Sequence, residues 1–328
     1  MGKASRTKSE PDRRARIAAQ RAEQRRSEQR RRIYLAGGPI LVVVIVVVAF
    51  VLIKLNSNSS GGTVAASSNG PTGTALSKVV NDVTTVPTSV TDKVAGGTIP
   101  SAMFVAATTP SEVTSMAQAD GSYFATVNGP SLTQNGKPEV LFMGGEYCPF
   151  CAAQRWAMVN AFSRFGTFSG LTTTHSSSSD TDPNTPTLTF YGSTYTSKYI
   201  SLVTVEMEHN YRIGNSSSTS VAYAPLQTAT AAEQKLQTAY DPGTYIPYID
   251  FGNKYAQVGN LSPLTPTMLD GLTWQQVATD MSNPSSSVGA AVIANANYET
   301  AAICTLTSNQ PATACTPSIQ KLEGTLAK

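Results

Sequence analysis

The stretch from Pro138 to Trp156, PEVLFMGGEYCPFCAAQRW, runs an apolar segment straight into two cysteines three positions apart. PEVLFMGG has the continuous apolar character of a strand buried on both faces, and helix signals follow it at once. Pro149 suits a first helical position, where its missing N–H costs nothing. Ala152, Trp156, Val159 and Phe162 then mark one apolar face, Arg155, Asn160 and Arg164 fall largely elsewhere on the turn, and Gly166 is a natural stop. The spacing predicts a strand, a tight turn and a helix, with Cys148 at the helix N-terminus and Cys151 one turn in.

That placement has chemical consequences. The thiolate is the attacking species, and a free thiol is mostly protonated at neutral pH. Unpaired N–H groups and the positive end of the helix dipole stabilise the anion. Cys148 is therefore the candidate nucleophile, expected to be exposed at the mouth of the turn. Cys151, more buried, is the candidate resolving thiol. A structural bridge is one alternative, although closing so small a loop constrains the unfolded chain little. A metal site is another, but zinc usually takes four ligands. The chain has four cysteines and two histidines, His175 in a Ser-rich segment and His209 after a predicted strand, and neither histidine forms a pair. No metal and no cofactor is expected.

Whether such a pair is oxidised depends on the compartment. Residues 1–32 carry half of the chain's 24 basic residues, which gives a strongly cationic tail to a chain whose total charge is only +3. A dense cationic segment gains from phosphate neutralisation, yet the next segment offers a plainer explanation, and no nucleic-acid partner is expected. From Leu35 to Ile53, LAGGPILVVVIVVVAFVLI contains no charge, about the length that crosses a hydrocarbon core of ~30 Å. It is longer than the apolar core of a signal peptide. Arg30, Arg31 and Arg32 against the lone Lys54 place the N-terminus in the cytoplasm and the remainder outside. The expected division is a basic cytoplasmic tail (1–32), a transmembrane helix in the lipid bilayer (33–55), a flexible Ser, Gly and Asn-rich linker (56–74) and an extracytoplasmic domain (75–328). Leu76, Val79, Val80, Val83 and Val86 predict a short amphipathic helix at its start, ended by Pro87.

Farther along, KYISLVTVEM (198–207) reads as a second buried strand. TYIPYIDFGNKYAQVG reads as two strands joined by Gly252 and Asn253, a two-residue hairpin signal. TTTHSSSSDTDPNTPT reads as a solvated loop and TATAAEQKLQTAYD as an inserted helix. Strand, CxxC-led helix, strand, helix, hairpin, helix is an order that resembles the thioredoxin superfamily. The resemblance implies the fold class: α/β, a thioredoxin-like fold with insertions, preceded by a single transmembrane helix. It also implies that Pro247 is cis, packs against the cysteine pair and offers backbone to substrate. Phe142, six before the first cysteine, is a departure, because thioredoxins carry a buried acid there. The basic MGKASRTKSE start, the Val-rich span, GGEYCPFCAAQRW and the tail AAICTLTSNQPATAC together look like the membrane-anchored family catalogued only as domain of unknown function 929. That resemblance covers nearly the whole chain and supplies a fold but no activity.

The remaining cysteines, Cys304 and Cys315, complete a set that allows three connectivities. Local pairing is favoured, since Pro311 and turn formers lie between them, and the closed loop stabilises by roughly 3 kcal/mol in the chain-entropy model. The expectation is a structural disulfide; the sharper alternative is an electron relay to the first pair. Glu146 is a candidate proton shuttle, expected to be exposed, and a carboxylate there raises the thiol pKa. Tyr147 and Phe150 are expected to shape the rim where a peptide docks, and Trp156 to be core. The function expected is a membrane-tethered thiol-disulfide oxidoreductase acting on protein thiol or disulfide clients, with a membrane redox partner. The alternative is a non-catalytic binding module whose disulfides are structural.

Overall fold

The computed structural model describes residues 70–95, 103–106, 122–127, 129–213 and 222–326, all within the unit Ala66–Lys328. The basic tail, the apolar run 33–55 and the linker as far as residue 69 lie outside the described residues. Among the described residues no helix is long and apolar enough to cross a membrane.

Two short helices lead, α1 (Gly73–Thr84) and α2 (Thr88–Val94). Val79 and Val83 are the buried stripe of α1. Pro87 cannot continue that helix and becomes the N-cap of α2. The helical chain begins at Gly73, two residues before the Ala75 boundary.

Four strands follow: β1 (Phe104–Ala106), β2 (Tyr123–Thr126), β3 (Thr133–Gln134) and β4 (Lys137–Gly144). The cysteine-led helix α3 (Pro149–Ser163) comes next, then β5 (Gly166–Ser169), β6 (Thr172–His175), β7 (Pro186–Thr189), β8 (Thr194–Ser197) and β9 (Ser201–Glu206). An arm of β10 (Glu208–Arg212) and β11 (Tyr223–Pro225) precedes α4 (Ala231–Tyr240), and β12 (Tyr248–Phe251) and β13 (Tyr255–Val258) form the hairpin. Helices α5 (Trp274–Asp280), α6 (Ser287–Leu306) and α7 (Pro317–Leu326) complete a mixed α/β architecture.

The main sheet is mixed, in the order β1, β2, β13, β12, β4, with β9 on the far side of β4 and the short β3 folded back on the start of β4. β4 runs parallel to β9 and antiparallel to β12, with Gly144 opposite Glu206 and Val140 opposite Phe251. Because side chains alternate along a strand, neighbouring residues feed different cores. Val140, Phe142, Ile249 and Phe251 pack with α3 and α6. Leu141, Met143 and Tyr248 pack on the opposite face, against Leu236 and Tyr240 of α4. The cysteine turn sits at the C-terminal end of the central strand.

Several expectations are corrected. The Ser-rich segment is no solvated loop: β6 pairs with β7, and Ser176, Ser177, Thr185 and Thr187 are buried. Their hydroxyls satisfy one another and the backbone, as in Ser176 Oγ to Asp182 O at 3.0 Å and Thr187 Oγ1 to Ala152 O at 2.7 Å. The hairpin closes through three residues, not two, since Phe251 is opposite Tyr255. Gly252 and Asn253 both take positive φ, a conformation that Gly and Asn tolerate best. Helix α3 has no solvent face of the kind its polar residues implied. Arg155 and Asn160 are buried along with its apolar residues, because α6, α1 and the β6–β7 hairpin surround it.

Candidate functional site

Gly144 ends β4 where a side chain has no room: an added Cβ would lie 3.2 Å from Cys151 Sγ and closer still to the Phe142 ring. The chain turns over Gly145, Glu146 and Tyr147 and enters α3 with Cys148 as N-cap and Pro149 at the first position. Cys148 Sγ accepts the Cys151 N–H at 3.3 Å, so the sulfur takes the place that Ser or Asp oxygens usually hold at a helix start. Both cysteines are free thiols. Cys148 also points its thiol at the Ile246 carbonyl, 3.8 Å away, and the next peptide bond, Ile246–Pro247, is cis. The expected cis-proline therefore lies beside the first cysteine.

The two sulfurs have opposite surroundings. Burial pushes the Cys148 thiol up, but hydrogen bonds from Cys151 and the Phe150 amide, together with the Arg155 charge, outweigh it and leave the pKa lowered. Burial, the hydrogen bond with Cys148 and that neighbour's negative charge push Cys151 well above the ordinary thiol value, against the pull of Arg155 and the Gly145 amide. The asymmetry follows from the helix start, where the first amides reach only the N-cap sulfur.

Cys148 is not exposed at the mouth of the turn as expected; only 5% of its surface is accessible. The turn beside it is held against the insertion after α3. Tyr147 stacks on Tyr223 with ring centroids 4.0 Å apart, Arg212 lies over Tyr223 at 4.5 Å, and Ser177 N–H donates to Tyr147 O at 2.8 Å. The rim is exposed where the sulfur is not: Phe150 is 41% accessible, and Tyr245 stands exposed just before Ile246. Glu146 is likewise buried, not exposed. Thr189 Oγ1 donates to it at 2.8 Å, and His209 Nδ1 lies at 3.3 Å from its other oxygen. Trp156 is core, with its Nε1–H on Pro186 O at 2.8 Å.

Sequence reasoning missed the polar groups beneath the turn. Arg155 is fully buried against Glu206 of β9, with Nε–Oε1 at 2.8 Å and Nη2–Oε2 at 2.6 Å. On the other side of α3, Gln154 donates to the buried Glu299 of α6 and accepts from Gln257 and Asn260, each at 3.0 Å. Burial pushes Glu299 well above the usual carboxylate range. Cys315 is bonded to Cys304, and the pair lies at the other end of the sheet. Leu306, two residues after Cys304, packs against Gly252 of the hairpin, and the register puts that hairpin four β4 residues, about 13 Å, from the cysteine turn. Direct exchange between the two pairs is out of reach. Among the described residues no group of three or more His, Cys, Asp or Glu is arranged to hold a metal ion.

A family model described as Domain of unknown function (DUF929) matches residues 123–305, from β2 to the end of α6. No curated protein and no solved structure matches the chain.

Proposed function

The chain belongs to the family described as Domain of unknown function (DUF929), and from that starting point we propose that it is a thiol-disulfide oxidoreductase of thioredoxin-like fold. The observation that carries the reading is the unequal pair at the start of α3: two free thiols, one lowered by the helix amides and one raised, beside a cis-proline. The strand order β13, β12, β4, β9, with α3 between β4 and β9 and α6 after the hairpin, supports the fold assignment.

The chemistry follows from the asymmetry. In the reduced protein, the Cys148 thiolate attacks one sulfur of a client disulfide, and the other client sulfur leaves as a thiolate. Cys151, once deprotonated, attacks Cys148 Sγ in the mixed disulfide and expels the second client thiolate. The client gains two electrons and two protons, and Cys148 and Cys151 become a disulfide; the reverse sequence oxidises a client dithiol. Phe150 and Tyr245 supply an apolar rim for the client chain, and Pro247 and the Ile246 carbonyl lie against the attacking sulfur. The cationic residues 1–32 and the uncharged run 35–53 support a tether that holds the domain outside the cytoplasmic membrane, where a membrane partner can renew its redox state.

The burial of Cys148 favours a second reading, a binding module in which the first pair is a staple. Trapping separates them. Cys151→Ser is expected to accumulate mixed disulfides with client proteins on a nonreducing gel, since attack proceeds and resolution does not, and Cys148→Ser is expected to accumulate few. Absence of adducts from Cys151→Ser, with Cys148 inert to a small alkylating reagent after mild reduction, overturns the enzyme reading.

A further inference from the structure

The ion pair under the cysteine turn needs an explanation beyond stability. A buried salt bridge is often no better than apolar residues of the same shape, and a buried donor left without a partner costs about 1–3 kcal/mol. Arg155 has both features: it is wholly buried, and its Nη1 has no partner. Its position is specific. It lies four residues after Cys151 on α3, and helix side chains lean toward the N-terminal turn, here the turn that carries the cysteines.

The contacts tie it to that turn. Arg155 Nη2 donates to Gly145 O at 2.9 Å, the carbonyl that also accepts the Cys148 N–H at 3.3 Å. The amide of the same residue, Gly145, faces the Cys151 sulfur. The guanidinium lies over the Phe142 ring, 5.9 Å from its centroid. Glu206 fixes the fork from β9 and is itself held, its carboxylate accepting from Phe190 N–H at 3.4 Å and its backbone amide donating to Gln227 at 2.8 Å.

We infer that Arg155, locked in place by Glu206, is a positioning residue that holds the cysteine turn and supplies the fixed positive charge facing whichever sulfur carries the thiolate. Among the described residues around the turn, Tyr147, Glu146 and Glu208 are not cations, His209 lies against Glu146, and Arg212 stands exposed over the Tyr223 ring. Tyr147 is raised by burial and by Glu208, Glu146 is bonded to Thr189 and His209, and Glu208, itself raised by burial, lies against Gly145. The lowered Cys148 and the pull on Cys151 both include Arg155 among their causes. The use of this charge in turnover rests on the oxidoreductase reading; the charge itself does not.

The test reads thiol ionisation, not activity, so it reports on Arg155 even in a chain that traps no client. Arg155→Met alone leaves Glu206 buried and unpaired and is expected to unfold. The paired variant Arg155→Met/Glu206→Leu removes both charges at similar volume. In mildly reduced protein, with Cys304 and Cys315 still bonded, ultraviolet thiolate absorbance is followed against pH, and near-ultraviolet circular dichroism reports the fold. The paired variant is expected to show several-fold less thiolate at a fixed pH below the parent midpoint, the loss of a nearby opposite charge being partly offset by the loss of the Glu206 charge. Glu206→Gln keeps the guanidinium and an amide oxygen that still accepts from it, beside Gly145 O, so the buried donors stay hydrogen-bonded; it removes only the counter-charge and is expected to raise the thiolate fraction. A merely structural role moves both variants the same way. Parent-like titration in either folded variant, or shifts of one sign in both, overturns the inference; if the paired variant does not fold, the sign in Glu206→Gln decides alone.

Discussion

Cys148 and Cys151 share a helix turn but not an environment, and the difference is measurable one residue at a time. With Cys148 lowered and Cys151 well raised, alkylation of the reduced protein at pH values below the ordinary thiol range is expected to label Cys148 and spare Cys151. Peptide mass spectrometry checks this, and equal labelling of both would remove the asymmetry on which the mechanism depends. Because Cys148 is only 5% accessible, a bulky maleimide is expected to react far more slowly than a small haloacetamide. The two sulfurs and Pro247 are legible in the sequence, since their chemistry depends on neighbours one to three positions away or on a place in the element order. Arg155 is legible only as a charge on a helix. Its partner Glu206 lies 51 residues on, and nothing local marks a helix residue for a strand that has yet to pair. Glu146 is buried against expectation for a related reason: Thr189, which donates to it, belongs to the segment Thr172 to Thr189, which reads as a polar loop until its hydroxyls are seen to satisfy one another.

At the scale of elements, β12 carries a buried acid that makes stability depend on pH. Burial raises Asp250 to about 7, against the lowering effect of hydrogen bonds from Asn253 N–H at 2.6 Å and the Tyr248 hydroxyl at 3.4 Å. An unfolded Asp ionises near 3.9. Between about pH 4 and 7 the folded chain therefore keeps a proton that the unfolded chain has released, and stability falls as pH rises, by about 1.4 kcal/mol per pH unit for this group. Asp250→Asn is expected to flatten that slope in urea unfolding. It should not abolish it, because Asp241, at about 6, and Glu299 shift the same way; an unchanged slope would mean that Asp250 titrates normally. Between α6 and α7, replacing Cys304 and Cys315 with Ser is expected to cost about 3 kcal/mol and leave the alkylation profile of Cys148 unaltered, since the pairs lie at opposite ends of the sheet. The elements legible in the sequence, β4, α3, β9, α4 and the β12–β13 hairpin, each carry a run or cap that acts locally, such as the Thr230 and Glu233 capping box of α4. Strands β1 and β2 are short, and β2 takes its place beside β13, far along the chain, while the short β10–β11 arm carries an irregular register.

For the whole molecule, the charge asymmetry between residues 1–32 and the rest supports an anchored chain with its domain outside. A membrane-impermeant protease added to intact cells is expected to release a fragment containing Cys148; a protected fragment would contradict that topology. The domain itself joins a sheet with two cores to a single polar turn at the end of its central strand, and the proposed role of that turn is to pass two electrons between Cys148, Cys151 and a client. The most direct test is redox equilibration of the domain, residues 70–328, against glutathione buffers, with the states of Cys148 and Cys151 read by alkylation and the fold by circular dichroism. A reversible two-electron transition of this pair is expected, with Cys304 and Cys315 still bonded and the fold unchanged. A first pair that changes state only when the domain unfolds would contradict the oxidoreductase reading.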